Sequence, residues 1–157
     1  MAKVPVILNF GDSGAQREVA SLTYSFHQAI DCDGQVTDYP KGGLIVMRLK
    51  ALNKPDNEII DWMLGVDVVK NGEILFYQDG NKMKSIEFQD AYCINYVEHW
   101  EDRIDDIDLA HWEEITLSCR IMNLNGSEIT NQWEKLVEVK KKGQDVGSSN
   151  ESTRNMA

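Results

Sequence analysis

Lys82-Met83-Lys84-Ser85-Ile86-Glu87-Phe88-Gln89-Asp90-Ala91-Tyr92-Cys93-Ile94-Asn95-Tyr96 is the stretch on which the fold turns. Ile86, Phe88, Tyr92, Ile94 and Tyr96 share one parity, and Ser85, Glu87, Gln89 and Asn95 take the other. Successive side chains of a strand point to opposite faces, so this period of two predicts a long strand with one apolar face. Three further stretches repeat the pattern. Leu22, Tyr24 and Phe26 alternate with Ser21, Thr23, Ser25 and His27. Ile115, Leu117, Cys119 and Ile121 alternate with Thr116, Ser118 and Arg120. Leu44-Ile45-Val46-Met47-Arg48-Leu49-Lys50 begins apolar on both sides and then alternates, as a strand passing from core toward solvent does.

Turn chemistry agrees. Asn71-Gly72, Asp79-Gly80 and Asn125-Gly126 supply residues that tolerate positive φ beside short apolar runs, and Asn71-Gly72 is read as turning a hairpin into Ile74-Leu75-Phe76-Tyr77. The expected fold class is mainly β, an antiparallel system closed as a barrel or packed as a sandwich. One helix is expected, from Pro55 to Leu64, with Asn53 or Asp56 as cap, Pro55 in the first turn and Gly65 just past the end. Ile59, Trp62 and Met63 fall on one side of it and should cover the sheet. The acid-rich run from Glu98 to Asp108 does not alternate and reads as an exposed connection.

Composition bounds the rest. The chain has 157 residues, enough for one core, so one domain over 1–142 is expected, followed by a disordered tail over 143–157 that carries scarcely an apolar residue. Twenty-six acidic against 16 basic residues give a formal charge of -10, which argues against a nucleic-acid or anionic-membrane partner. No run approaches the ~18 apolar residues of a membrane span. The opening Val4-Pro5-Val6-Ile7-Leu8-Asn9-Phe10 is too short for a signal-peptide core, so export, if any, is expected by a signal-independent route. Cys32, Cys93 and Cys119 are odd in number and widely spaced, giving neither a disulfide framework nor a zinc pattern; buried or inert thiols are expected.

No constellation for catalysis emerges. His27 lies on the polar parity of a strand, and Cys93 near His99 reads as a packed thiol beside a surface imidazole. Asp31-Cys32-Asp33-Gly34 has its glycine too early for a calcium loop and reads as a turn. Asp102, Asp105, Asp106 and Asp108 read as a solvated acidic loop. The expectation is a protein without enzymatic activity, cofactor or metal.

Against this background the sequence resembles the TssD branch of the Hcp proteins, in the form common in Bacteroidetes. The resemblance rests on Tyr24-Ser25-Phe26-His27-Gln28-Ala29, Gly34, Pro40-Lys41-Gly42-Gly43 and Asp61-Trp62-Met63-Leu64, then on Lys82 to Cys93, Glu114-Ile115-Thr116-Leu117-Ser118, Asn125-Gly126 and Asn131-Gln132-Trp133, in that order. It implies a two-sheet antiparallel β-barrel with a flanking helix, like phage tail-tube proteins. It also implies six-membered rings of the same subunit, stacked into the inner tube of a type VI secretion system. The implied partners are further copies of itself, the sheath, spike and baseplate proteins, and secreted effectors. The chain is expected in the cytoplasm during assembly, then outside the cell through the machine. Alternatives are a tube subunit of a phage-like or extracellular contractile injection system, and a monomeric β-domain that binds a small ligand. The acid-rich segment from Glu98 to His111 and the length after Trp133 depart from the family pattern.

The segment from Ile30 to Gly43 is the expected assembly contact. Its fourteen residues exceed the about two to five of an ordinary hairpin loop. Gly34, Pro40, Gly42 and Gly43 shape an arm that leaves one strand at Ala29 and enters the next at Leu44. Val36 and Tyr39 are its expected apolar anchors, Ile30 opens it, and Asp38 and Lys41 are candidates for rim ion pairs.

Overall fold

The computed structural model describes residues 5–52, 54–102 and 105–133. The tail expected over 143–157, the end of the 1–142 domain and the cap candidate Asn53 lie outside the described residues.

Two antiparallel meanders make up the molecule. The first comprises β1 (Val6–Phe10), β2 (Ala15–Tyr24) and β3 (Leu44–Lys50); the second β4 (Lys70–Gln78), β5 (Asn81–Trp100), β6 (His111–Leu124) and β7 (Ser127–Thr130). Helix α1 (Glu58–Leu64) joins them, and a single turn, α2 (Ile107–Ala110), precedes β6. The ladder runs β3-β2-β1-β4-β5-β6-β7, and β3 also pairs with β6, which closes it into a barrel. The two layers of the barrel are thus parts of one hydrogen-bonded ladder. Strand β6 divides one edge between two neighbours. Its first half, Trp112 to Ser118, pairs with β3, and its second, Ile121 to Leu124, pairs with β7.

Inside are Leu8 and Phe10 from β1, Ile45, Met47 and Leu49 from β3, Ile74 from β4 and the inward residues of β5 and β6. Strand β3 alternates from its first residue, with Ile45, Met47 and Leu49 buried, while Leu44 and Val46, expected to lie in the core at the strand's start, face outward and are exposed. Asp79-Gly80 and Asn125-Gly126 make the β4–β5 and β6–β7 turns with positive φ.

Strand β5 departs from the single parity expected of it. Phe88 and Ala91 are both buried, three residues apart, and opposite them Cys119 and Met122 of β6 are both buried, again three apart. Both strands change facing at one level. There Asp90 adopts a φ of 51°, takes a hydrogen bond from Arg120 Nε at 2.7 Å and donates its own N–H to Asn71 Oδ1 at 2.9 Å. Tyr92 and Ile94 therefore lie on the outside, and Met122 takes the core place that the sequence pattern assigned to Ile121.

Asn71-Gly72 turns no hairpin but lies within β4. Gly72 is needed for close approach, because a Cβ there would sit 2.4 Å from the Asn9 carbonyl oxygen and 2.6 Å from Phe88 Cζ.

Helix α1 starts later than expected, at Glu58, with Asn57 as N-cap, Asp56 Oδ1 accepting from the Glu58 N–H, and Gly65 just past the end. Pro55 precedes the helix. Ile59 and Trp62 are buried and Met63 packs beside them. Trp62 lies between Phe10 and Phe88, with ring centroids 5.4 and 6.5 Å away, and donates its indole N–H to the Ala91 carbonyl at 3.0 Å. The helix thus seals the barrel where β5 changes facing. The acid-rich run is only partly a connection, since Glu98, His99 and Trp100 belong to β5 and Ile107 and Asp108 to α2.

Candidate functional site

Strand β2 ends at Tyr24, five residues before the expected departure at Ala29, so the excursion spans 25–43. The excursion is a narrow ribbon. His27 and Lys41 exchange backbone hydrogen bonds of 2.9 and 2.7 Å, and the Thr37 N–H donates to the Ala29 carbonyl at 2.9 Å. Ile30 and Val36 face each other as an isolated bridge. At the tip, Asp31 Oδ1 accepts from the N–H groups of Asp33 and Gln35, both at 2.9 Å, so Asp31 to Gly34 is the turn read from the sequence.

The base is fixed by two glycines. Phe26 lies against Gly42 so closely that a Cβ would be 2.1 Å from its ring. Gly43, at a φ of 102°, accepts the Cys119 N–H at 2.8 Å, and Asn131 Nδ2 donates to the Gly42 and Cys119 carbonyls at 2.8 and 2.9 Å. Asn131 therefore stitches the arm to β6 where β3 and β7 meet along its edge. Gly42 and Gly43 form the root of the arm.

Beyond the root, residues 25–41 are all exposed. Tyr39 keeps 79% of its surface in solvent, Ile30 63% and Val36 50%. Pro40 and Phe26 border a shallow apolar groove with Leu124 and Ile129. Asp38 and Lys41 pair within the arm at 2.9 Å. The hydrogen bond from Lys41, with help from the Tyr39 N–H, holds the Asp38 carboxyl below its usual range. So exposed a pair contributes little to stability.

The sequence reading missed part of the exposed apolar surface. Leu44, Val46, Ile94 and Val97 lie outside the barrel on β3 and β5, and Leu64 and Val66 at the helix exit are also exposed. The doubled apolar run at Leu44–Met47 carried that signal.

Cys93 and Cys119 are buried, and burial pushes their thiols up to about 11 and about 12, so both are protonated at neutral pH. Cys32 is exposed in the arm's turn. His27 holds the arm ladder, His99 stacks on Trp112 and His111 stacks on Trp100. Among the described residues no three His, Cys, Asp or Glu side chains are grouped to hold a metal ion, and no helix is long and apolar enough to cross a membrane.

The model of the hemolysin coregulated protein Hcp (TssD) family matches residues 2–134. The chain belongs to the Hcp (TssD) family. As an Hcp protein it is a tube subunit of a type VI secretion system, in a family of structural proteins that form stacked tube rings. Among solved structures it is similar to Hcp1 from Flavobacterium johnsoniae, with 21% identity and a TM-score of 0.68 over 80% of this chain and 99% of that one. It is also similar to Hcp1 from Salmonella typhimurium, with 13% identity and a TM-score of 0.60 over 83% and 93%. A chain of the PVC sheath-tube complex, an extracellular contractile injection system, matches with 17% identity and a TM-score of 0.50 over 78% and 88%. No curated protein sequence matches.

Proposed function

We propose that this Hcp chain closes into a six-membered ring, that its rings stack into the inner tube, and that the arm from Ile30 to Gly43 joins neighbouring subunits or successive rings. The observation that carries this reading is the arm itself. Its ribbon is held by its own backbone bonds, among them the His27–Lys41 pair and Thr37 to Ala29, while Ile30, Val36 and Tyr39 stand in water. Burying each against a neighbour would contribute about 1.5–3 kcal/mol. A heterologous contact repeated through a closing rotation gives a ring. The role is structural and calls for no catalysis, cofactor, nucleic acid or membrane insertion. Sheath, spike and baseplate proteins meet the assembled tube and effectors travel with it, from the cytoplasm through the machine.

Negative-stain microscopy and light scattering of the purified protein test this. Rings with an open centre and a hexamer mass are expected, and a monomer at micromolar concentration would sink the reading. The likeness to the PVC tube favours one alternative setting, an extracellular contractile injection system. Neighbouring genes for the membrane complex of a secretion system decide between the two.

A further inference from the structure

The pose of the arm is set from outside the arm. Strand β6 pairs with β3 as far as Ser118 and with β7 from Ile121, which leaves Cys119 and Arg120 at a break in that edge. Cys119 is fully buried, so its backbone groups have no water to turn to. Its N–H donates to the Gly43 carbonyl at 2.8 Å, and its carbonyl accepts from Asn131 Nδ2 at 2.9 Å. The Asn131 N–H fills the remaining place, donating to the Arg120 carbonyl at 2.7 Å. The same Nδ2 also donates to the Gly42 carbonyl at 2.8 Å, eighty-nine residues away in sequence. A side-chain amide offers two N–H donors from one neutral nitrogen, whereas an ionised aspartate offers none and a serine one.

Both limbs of the ribbon converge on this point. Phe26 of the outgoing limb lies on Gly42 of the returning limb, and the Tyr24 ring meets Phe26 edge-on at 5.9 Å. A Cβ on Gly43 would fall 2.5 Å from Asn131 Nδ2 and 2.7 Å from the Cys119 carbonyl oxygen, so the joint closes only around glycine. Asn131 is held in its turn. The Trp133 N–H donates to the Asn131 carbonyl at 3.1 Å, and the Trp133 ring packs on Tyr92 of β5 with centroids 5.3 Å apart. Outward of Gly42 the ribbon is braced by its own ladder, His27 with Lys41 and Ala29 with Thr37, so it moves as one piece about whatever holds its root. Two adjacent glycines are the freest joint a chain can have unless something locks them.

We propose that Asn131 is the positioning residue of the arm: its amide locks the Gly42–Gly43 joint and holds Ile30, Val36 and Tyr39 in the pose that a neighbouring subunit meets. This rests on the reading of the arm as the assembly contact. Asn131 acts through the arm and not on the neighbour. It removes beforehand the conformational freedom that assembly would otherwise have to remove, and each residue whose backbone stays free until contact weakens that contact by about tenfold.

Nitroxide labels on Cys32, the exposed thiol at the arm's tip, and on a Lys82→Cys substitution in the exposed β4–β5 turn read the pose by pulsed electron resonance, because Cys93 and Cys119 are buried. The distances are measured in the full chain carrying Val36→Ser and Tyr39→Ser, in which the arm has lost its apolar anchors. Adding Asn131→Asp should broaden a narrow distance distribution, since both donors are lost. Asn131→Asp in the otherwise unaltered chain should keep its circular dichroism and lose rings by light scattering at concentrations where the parent forms them. Gly43→Ala, which drives a methyl group into the same amide, should do both as well. An unchanged distribution in the folded variant overturns the proposal, and so does a broadened one with the parental ring population. Loss of folding in Asn131→Asp overturns it too, by assigning the residue to the barrel. If the parent forms no rings, or the Val36→Ser, Tyr39→Ser chain keeps them, the assembly reading is what fails, and the distance distribution still decides whether Asn131 holds the arm.

Discussion

Arg17 and Glu113, ninety-six residues apart in sequence, meet at 2.6 Å inside one end of the barrel and tie β2 to β6. Arg17 also donates to the Lys50 carbonyl at 2.8 Å, and the Tyr96 hydroxyl donates to the second oxygen of Glu113 at 2.8 Å. The Arg17 side chain is 2% exposed, so the pair has little solvent to fall back on. Glu113→Leu leaves a buried guanidinium unpaired and should lower stability by about 3–5 kcal/mol, whereas the double variant Arg17→Met, Glu113→Leu should recover most of that. Urea unfolding of the three proteins checks it. Equal loss in single and double variants would show that the pair is not what holds this end.

Trp62 is the only aromatic of α1, and it supplies both the stack on Phe10 and Phe88 and the hydrogen bond to Ala91. Trp62→Ala should lower stability by about 3–5 kcal/mol. Trp62→Phe should cost less, but more than volume alone predicts, because the Ala91 carbonyl loses its donor. Thermal melts of both variants provide the measurement.

Gly72→Ala brings a methyl group against the Asn9 carbonyl and Phe88 in a packed interior. The expected loss is about 1–3 kcal/mol with the fold retained, read from denaturant midpoints. An unchanged midpoint would mean that β4 can shift away from β1 freely.

Replacing Val36 and Tyr39 together with serine should leave the melting temperature nearly unchanged, since both stand clear of the core, while rings or tubes are lost. Light scattering beside circular dichroism separates the two effects. Assembly that survives in a folded protein removes the arm from the interface.

Alkali should destabilise the barrel in a defined window. The folded thiols of Cys93 and Cys119 titrate at about 11 and about 12 against an ordinary 9.0, so the unfolded chain releases their protons first. Their stabilisation is fully present below pH 9 and is lost as pH rises from there through the folded values, at about 1.4 kcal/mol per pH unit for each thiol. The Tyr96 hydroxyl, raised by burial and by Glu113, adds to the loss above pH 10. Cys93→Val with Cys119→Val should flatten the decline between pH 9 and 10, measured by unfolding across that range.

Where backbone geometry follows from residue type, the sequence was readable. The existence of β3, the inward side of α1 and the turns at Asp79-Gly80 and Asn125-Gly126 needed only period, size and positive-φ tolerance. What escaped depended on partners remote in the chain. The change of facing at Asp90 is held by Asn71 and Arg120, and no local pattern separates an aspartate in a strand from one that turns it. Asn71-Gly72 has the composition of a turn, yet its glycine serves Phe88 and Asn9 from within a strand. The arm was legible as a long excursion with Val36 and Tyr39 outward. Its root was not, because Asn131, far along the sequence, ties it down.

Closure of the barrel by Leu44–Lys50 against Trp112–Ser118 sets an order of events at the ribosome. The first meander can be complete while β6 is still unmade, leaving the outer edge of β3 with unpaired backbone groups and the Leu44-Ile45-Val46-Met47 run beside it. Such an edge invites pairing with any passing strand. Translation speed through the second meander, and holding factors that bind nascent chains, should therefore govern the yield of folded subunit more strongly than its final stability does.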